Sequence, residues 1–133
     1  MNKIKLLTTT TLLSLLSLSQ ANADITGIQQ GVFNVVQLNE TGRIPNSGVV
    51  NQAPNNTLTL TQVGVSNKVE ITQGAKGGAT GGNLGDVSQD GQHNFSRLTQ
   101  TGADNLASIQ VSGAANSSQI RTNGSHNLAT LDI

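Results

Sequence analysis

Along most of this chain polar and apolar residues alternate strictly for seven residues, and the alternation breaks for four before it resumes. A period of two is the mark of a strand with one buried face. The apolar column is regular: Leu38, Val49, Leu60, Ile71, Val87, Leu98, Ile109, Ile120 and Leu131. The column two residues earlier is smaller, with Ser47, Gly85, Ser96, Ala107, Ser118 and Ala129 among its members. On the same predicted inner face each strand opens with an amide, at Asn34, Asn56, Asn67, Asn83, Asn94, Asn105, Asn116 and Asn127, Pro45 taking that place in one early strand. The strands close with Gln29, Gln62, Gln73, Gln89 and Gln100, and Glu40 and Asn51 fall in the same phase. The breaks carry Gly31, Gly42, Gly64, Gly91, Gly102, Gly113 and Gly124, where a turn requires backbone angles that other residues resist.

The repeat length is 11 residues, as the series Asn94, Asn105, Asn116, Asn127 shows. A strand and a turn of that length reverse the chain, so 22 residues make one circuit of two strands. The predicted fold is all-β: a two-sheet β-solenoid of about five such rungs, stacked at the inter-strand spacing of about 4.8 Å. Stacking also answers what becomes of the inward amides, because each can donate to the copy one rung away and accept from the other side. Five additional residues interrupt the phase within GAKGGATGG, residues 74–82, which reads as a longer loop between a first block, 24–73, and a second, 83–133.

Residues 1–23 stand outside the repeat. Lys3 and Lys5, an apolar and hydroxylated stretch from Leu6 to Leu18, and Ala21-Asn22-Ala23 form the charged start, middle and small-residue cleavage site of a secretory signal peptide. The chain from Asp24 onward carries five basic against seven acidic residues, which excludes nucleic acid as the main partner. An exported chain of this size often relies on disulfides, yet there is no cysteine, and Phe33 and Phe95 are the only aromatic residues. Cohesion must come from backbone and amide bonding.

No catalytic, cofactor or metal site is expected. His93 and His126 lie in turns without a second ligand at metal spacing. Gly81-Gly-Asn-Leu-Gly-Asp86 is one defective copy of a calcium-binding repeat, and Thr57, Thr59 and Thr61 are a single row rather than an ice- or sugar-binding array. A secreted calcium-, ice- or sugar-binding β-solenoid that stays monomeric is the alternative reading. Asp86, Asp90 and Asp104 are either gatekeepers against premature stacking or ordinary turn residues.

Gln62-Val-Gly-Val-Ser-Asn67-Lys-Val-Glu-Ile-Thr-Gln73, Gln89-Asp-Gly-Gln-His-Asn94-Phe-Ser-Arg-Leu-Thr-Gln100 and Gln100-Thr-Gly-Ala-Asp-Asn105-Leu-Ala107 resemble the repeat of the curlin family, the subunits of bacterial curli. The last of these resembles the minor, nucleating curlin. Where the repeat expects Gln, the last strands carry Val111, Thr122 and Ile133. The resemblance implies an extracellular, cell-surface amyloid fibre subunit serving adhesion and biofilm matrix. It further implies a homopolymer, whose partners are another curlin subunit, major or nucleator, a curli export pore, and surface or matrix ligands.

Overall fold

In the computed structural model the residues described are 3–9, 16–19, 24–30, 35–41, 46–74 and 82–133. They are all-β. The strands are β1 (Lys3–Thr9), β2 (Leu16–Ser19), β3 (Asp24–Gln30), β4 (Val35–Thr41), β5 (Ser47–Gln52), β6 (Thr57–Val65), β7 (Lys68–Gly74), β8 (Leu84–Gln92), β9 (Phe95–Ala103), β10 (Leu106–Ala114), β11 (Ser117–Ser125) and β12 (Leu128–Asp132). Consecutive strands enter different sheets. The odd strands form one parallel sheet in the order β1-β3-β5-β7-β9-β11, and the even strands the other, β12-β10-β8-β6-β4-β2. From Asn46 onward each sheet holds four strands in continuous register.

The two sheets share one aliphatic core. Leu58, Leu60, Val87, Ala107 and Ile109 from the even sheet pack with Val50, Val69, Ile71, Leu98 and Ile120 from the odd sheet. Full burial of such side chains contributes about 1.5–3 kcal/mol each. Gly85, in the small column of β8, makes room for the opposite sheet, since a Cβ there would lie 2.8 Å from Leu98 Cδ2 and 2.9 Å from Gln73 Nε2.

The register corrects the sequence reading in β5. Uniform 11-residue phase puts Val49, Asn51 and Pro45 inside, but Val49 is 45% exposed while Val50 is buried and pairs with Ile71. Gln52, not Asn51, pairs with Gln73, and Asn46, not Pro45, takes the opening amide position. The cause is local chemistry. Proline has no side-chain acceptor, whereas Asn46 Oδ1 accepts the backbone N–H of Asn67 at 2.9 Å, and the shift places a glutamine beside a glutamine. The added residue before β5 is recovered in the tight Ala53–Asn56 turn, where Pro54 and Asn55 sit and Asn55 has φ 63°.

The turns are also tighter than expected. In β6, β8, β9, β10 and β11 pairing runs on through the turn glycine, so these strands have nine residues. Two residues beyond each such glycine, at Ser66, His93, Asp104, Ala115 and His126, φ lies between 54° and 59°. Even these left-handed residues keep their ladder bonds: His93 N–H donates to Val65 O at 2.9 Å, and Ala115 N–H to Gln92 O at 2.9 Å. The predicted loop at 74–82 begins with Gly74 as the last residue of β7, and residues 75–81 lie outside the described residues. So do Gly31, Asn34 and Gly42.

Candidate assembly site: amide ladders and open edges

The glutamines at the strand ends are buried and bonded in rows. In the odd sheet Gln52 Nε2 donates to Gln73 Oε1 at 2.7 Å, and Gln73 Nε2 to Gln100 Oε1 at 2.7 Å. In the even sheet Gln62 Nε2 donates to Gln89 Oε1 at 3.0 Å. Every donor in these rows points toward the C-terminal strands. The second amide hydrogen crosses to the facing sheet, as Gln73 Nε2 to Thr57 O at 3.2 Å and Gln89 Nε2 to Ser96 Oγ at 2.8 Å show. Gln29 stands in register with Gln52 at the start of the odd row. At the other end Thr122 and Val111 follow in place of Gln, and Gln100 Nε2 turns to Leu84 O and Asn105 O, both at 3.1 Å.

The asparagines run the opposite way. Asn83, Asn105 and Asn127 donate both the backbone N–H and Nδ2 to the Oδ1 of the preceding asparagine, in a row that among the described residues runs from Asn56, the Nδ2 bonds being 2.9–3.0 Å. The second row, Asn46, Asn67, Asn94 and Asn116, uses the backbone N–H only. In both rows Nδ2 also closes turns. Asn67 Nδ2 reaches Val63 O at 2.9 Å, four residues back, and Gly91 O at 3.2 Å in the next circuit. Asn94 Nδ2 reaches Gly113 O and Asn105 Nδ2 reaches Gly124 O, both at 2.9 Å. Glycine, the left-handed residue and asparagine thus form one bonded unit, of which the sequence showed the glycine and asparagine as separate columns. The signal for the middle member was faint, because Ser, His, Asp and Ala share no side-chain property there.

Gly64, Gly91, Gly102, Gly113 and Gly124 have φ from 109° to 124°. They also stack: a Cβ at Gly64, Gly91 or Gly102 would collide with the carbonyl oxygen of Gly91, Gly113 or Gly124 respectively. Gly113 and Gly124 meet only the Nδ2 of Asn116 and Asn127, at 3.4 and 3.5 Å, since the pairing of β10 with β12 stops at Gln110 and Asp132, short of Gly113, and β11, which carries Gly124, has a sheet partner on one side only. At this open edge Thr122 Oγ1 is buried without a hydrogen bond.

The outer faces of the described strands are mostly polar. Glu70 pairs with Lys68 at 2.8 Å and accepts Arg97 Nε at 2.9 Å, and the hydrogen bonds from Lys68 and then Arg97 hold its carboxyl below the usual range. Lys68 and Arg97 also lie over the ring of Phe95, at 5.4 and 5.5 Å. Besides the isolated Val49 and Val63, the exposed large apolar residues of these strands form a row of leucines, Leu84, Leu106 and Leu128, in register on the even sheet. Thr57, Thr59 and Thr61 pair with Leu84, Asp86 and Ser88, so the threonine row does not extend across the sheet. Among the described residues no group of three or more His, Asp or Glu could hold a metal ion, and no helix is long and apolar enough to cross a membrane.

Comparison with known families finds a match to the curlin associated repeat over residues 82–110, which takes in the end of the 74–82 stretch, β8, β9 and the first half of β10. That match supports a curlin-family assignment. No curated protein matches the chain, and no solved structure does.

Proposed function

We propose, from the curlin-family assignment that the repeat match supports, that this chain is a structural subunit of an extracellular curli-type fibre, exported after loss of residues 1–23. In this reading the two sheets are a solenoid of about five rungs from Asp24 on, and subunits add edge to edge. The observation that carries it is the continuous in-register stacking of parallel strands in two sheets, in which, among the described residues, the outermost strands β11 and β12 are paired on one side only. Natural monomers normally blunt such edges. An incoming copy would continue both sheets and the asparagine rows, with Asn116 and Asn127 Oδ1 as the next acceptors. Adhesion and a biofilm matrix follow from a surface fibre, and a second curlin and an export pore are its proposed partners.

The test is assembly of the purified protein. It should pass from soluble to thioflavin-positive fibres with reflections near 4.7 and 10 Å. Protein that stays monomeric for days at tens of micromolar defeats the proposal. Seeding separates the roles, since a nucleator accelerates a second curlin while a major subunit shows its own lag.

A further inference from the structure

From β5 to β12 the ionisable side chains of the strands are sorted by sheet. The even strands β6, β8, β10 and β12 carry Asp86, Asp90 and Asp132 and no base. The odd strands β5, β7, β9 and β11 carry Lys68, Arg97 and Arg121 against the single acid Glu70. All of them stand in the outward columns, which alternate with the buried inner positions. Glu70 takes up part of the charge of Lys68 and Arg97. The neighbours of Arg121 on its face are Gln119, Asn123 and Thr99, none of them acidic. One broad face of these strands is thus acidic and the opposite face basic.

We propose that these two faces dock on each other between copies: the even face of one copy lies flat on the odd face of another, so that fibres associate side by side. The proposal rests on the fibre reading and adds a contact at right angles to the stacking edge. The columns fit as the charges do. Across the core the two sheets run in opposite directions, the last inner residue of a strand meeting the first residue of a facing one, as Gln73 Nε2 to Thr57 O at 3.2 Å and Gln100 Nε2 to Leu84 O at 3.1 Å show. A copy translated across the sheets keeps that reversal on the outside. Counted from the strand start, the acids stand second (Asp86), third (Asp132) and fourth (Asp90) among the outward positions of the even face. The bases stand third (Arg121), second (Arg97) and first (Lys68) on the odd face. Reversal sets second against third and fourth against first, so every acid column meets a base column. The leucine row, first on the even face, then falls opposite Thr101 and Asn123 at the margin.

The size of the contact says when it forms. Four strands per sheet at about 4.8 Å, each about seven residues long at about 3.3 Å per residue, make a face of roughly 450 Å². Two such faces bury about 900 Å², short of the roughly 1,000 Å² that a specific interface needs. Isolated copies should therefore not pair, whereas along a fibre the contact repeats with every subunit and linked weak contacts reinforce one another.

Filament bundling in electron micrographs tests this, for fibres of wild type, Arg121→Asp, Asp86→Arg and the exchange that combines the two. Wild type should bundle at about 10 mM salt and separate into single filaments at about 1 M, where the Debye length falls from about 30 Å to about 3 Å. Arg121→Asp leaves two bases against two acids on the odd face, and Asp86→Arg leaves the even face with two acids against one base. Each should lose bundling at low salt, and the exchange, whose net charge is that of wild type, should regain it. Wild-type fibres that stay single at low salt overturn the proposal, as do bundling kept by every variant and an exchange that stays dispersed. Bundling that Leu106→Ser abolishes and the charge reversals leave intact also overturns it, since the leucine row then joins like faces. Absence of wild-type fibres defeats the fibre reading alone. In that case, or where only a variant fails to form fibres, beads densely coated with each protein decide the contact. Clumping at low salt by wild type and the exchange but by neither single variant supports it, and clumping by all or by none refutes it.

Discussion

At the residue scale the amides do two jobs that composition does not distinguish. Glutamine joins strand to strand and sheet to sheet, while asparagine also closes the turn behind it. Asn105 is the clearest case: it is buried, its Nδ2 serves Asn83 Oδ1 and Gly124 O, and its Oδ1 accepts from Asn127. Asn105→Ala strands these buried partners, each at about 1–3 kcal/mol. The variant should lose about 3 kcal/mol or more in denaturant unfolding. Asn116→Ala should cost about 1 kcal/mol, because Asn116 is half-buried at the edge and its side chain donates only to Ser112 O at 3.0 Å. Equal losses at the two sites would show that position in the row does not matter.

At the element scale, the strands and their alternation were legible because burial enforces a period of two wherever a sheet has one inner face. Inner Leu60, Ile71, Val87, Leu98 and Ile109 lie in the column read from sequence. Legibility failed at β5, where SGVVNQ offers two adjacent valines and two adjacent amides. Periodicity alone cannot choose between registers one residue apart. The choice is made across strands, by Gln52 meeting Gln73 and Asn46 meeting Asn67. The left-handed residue of each turn was also illegible, because its burden is backbone geometry rather than side-chain type. The β5 register separates two neighbouring valines in their effect on stability. Val50→Ala should destabilise by about 1–3 kcal/mol through lost burial and a cavity, whereas Val49→Thr should stay within about 0.5 kcal/mol. Thermal or urea unfolding of the two variants checks this, and the reverse order would restore the uniform phase.

At the scale of the whole molecule, stability and the proposed polymerisation would draw on the same bonds, so most core substitutions would weaken both and cannot separate them. The turn glycines can. A methyl at Gly102 strikes the carbonyl of Gly124 within one subunit. Gly124 itself faces no further backbone, and its nearest neighbour across the turn is Asn127 Nδ2. In a fibre the next copy's backbone would occupy that space and meet the methyl as Gly124 would meet one at Gly102. Both positions also carry the conformational cost of an L-residue at positive φ, about 1–2 kcal/mol. Gly102→Ala should therefore lose markedly more subunit stability than Gly124→Ala in urea unfolding. Gly124→Ala should show little added loss in the subunit and a strong defect in elongation when preformed seeds of the variant are offered wild-type protein. Wild-type elongation from Gly124→Ala seeds at both ends would mean that this edge is not where copies join, and would turn attention to a lateral contact such as the exposed row of Leu84, Leu106 and Leu128.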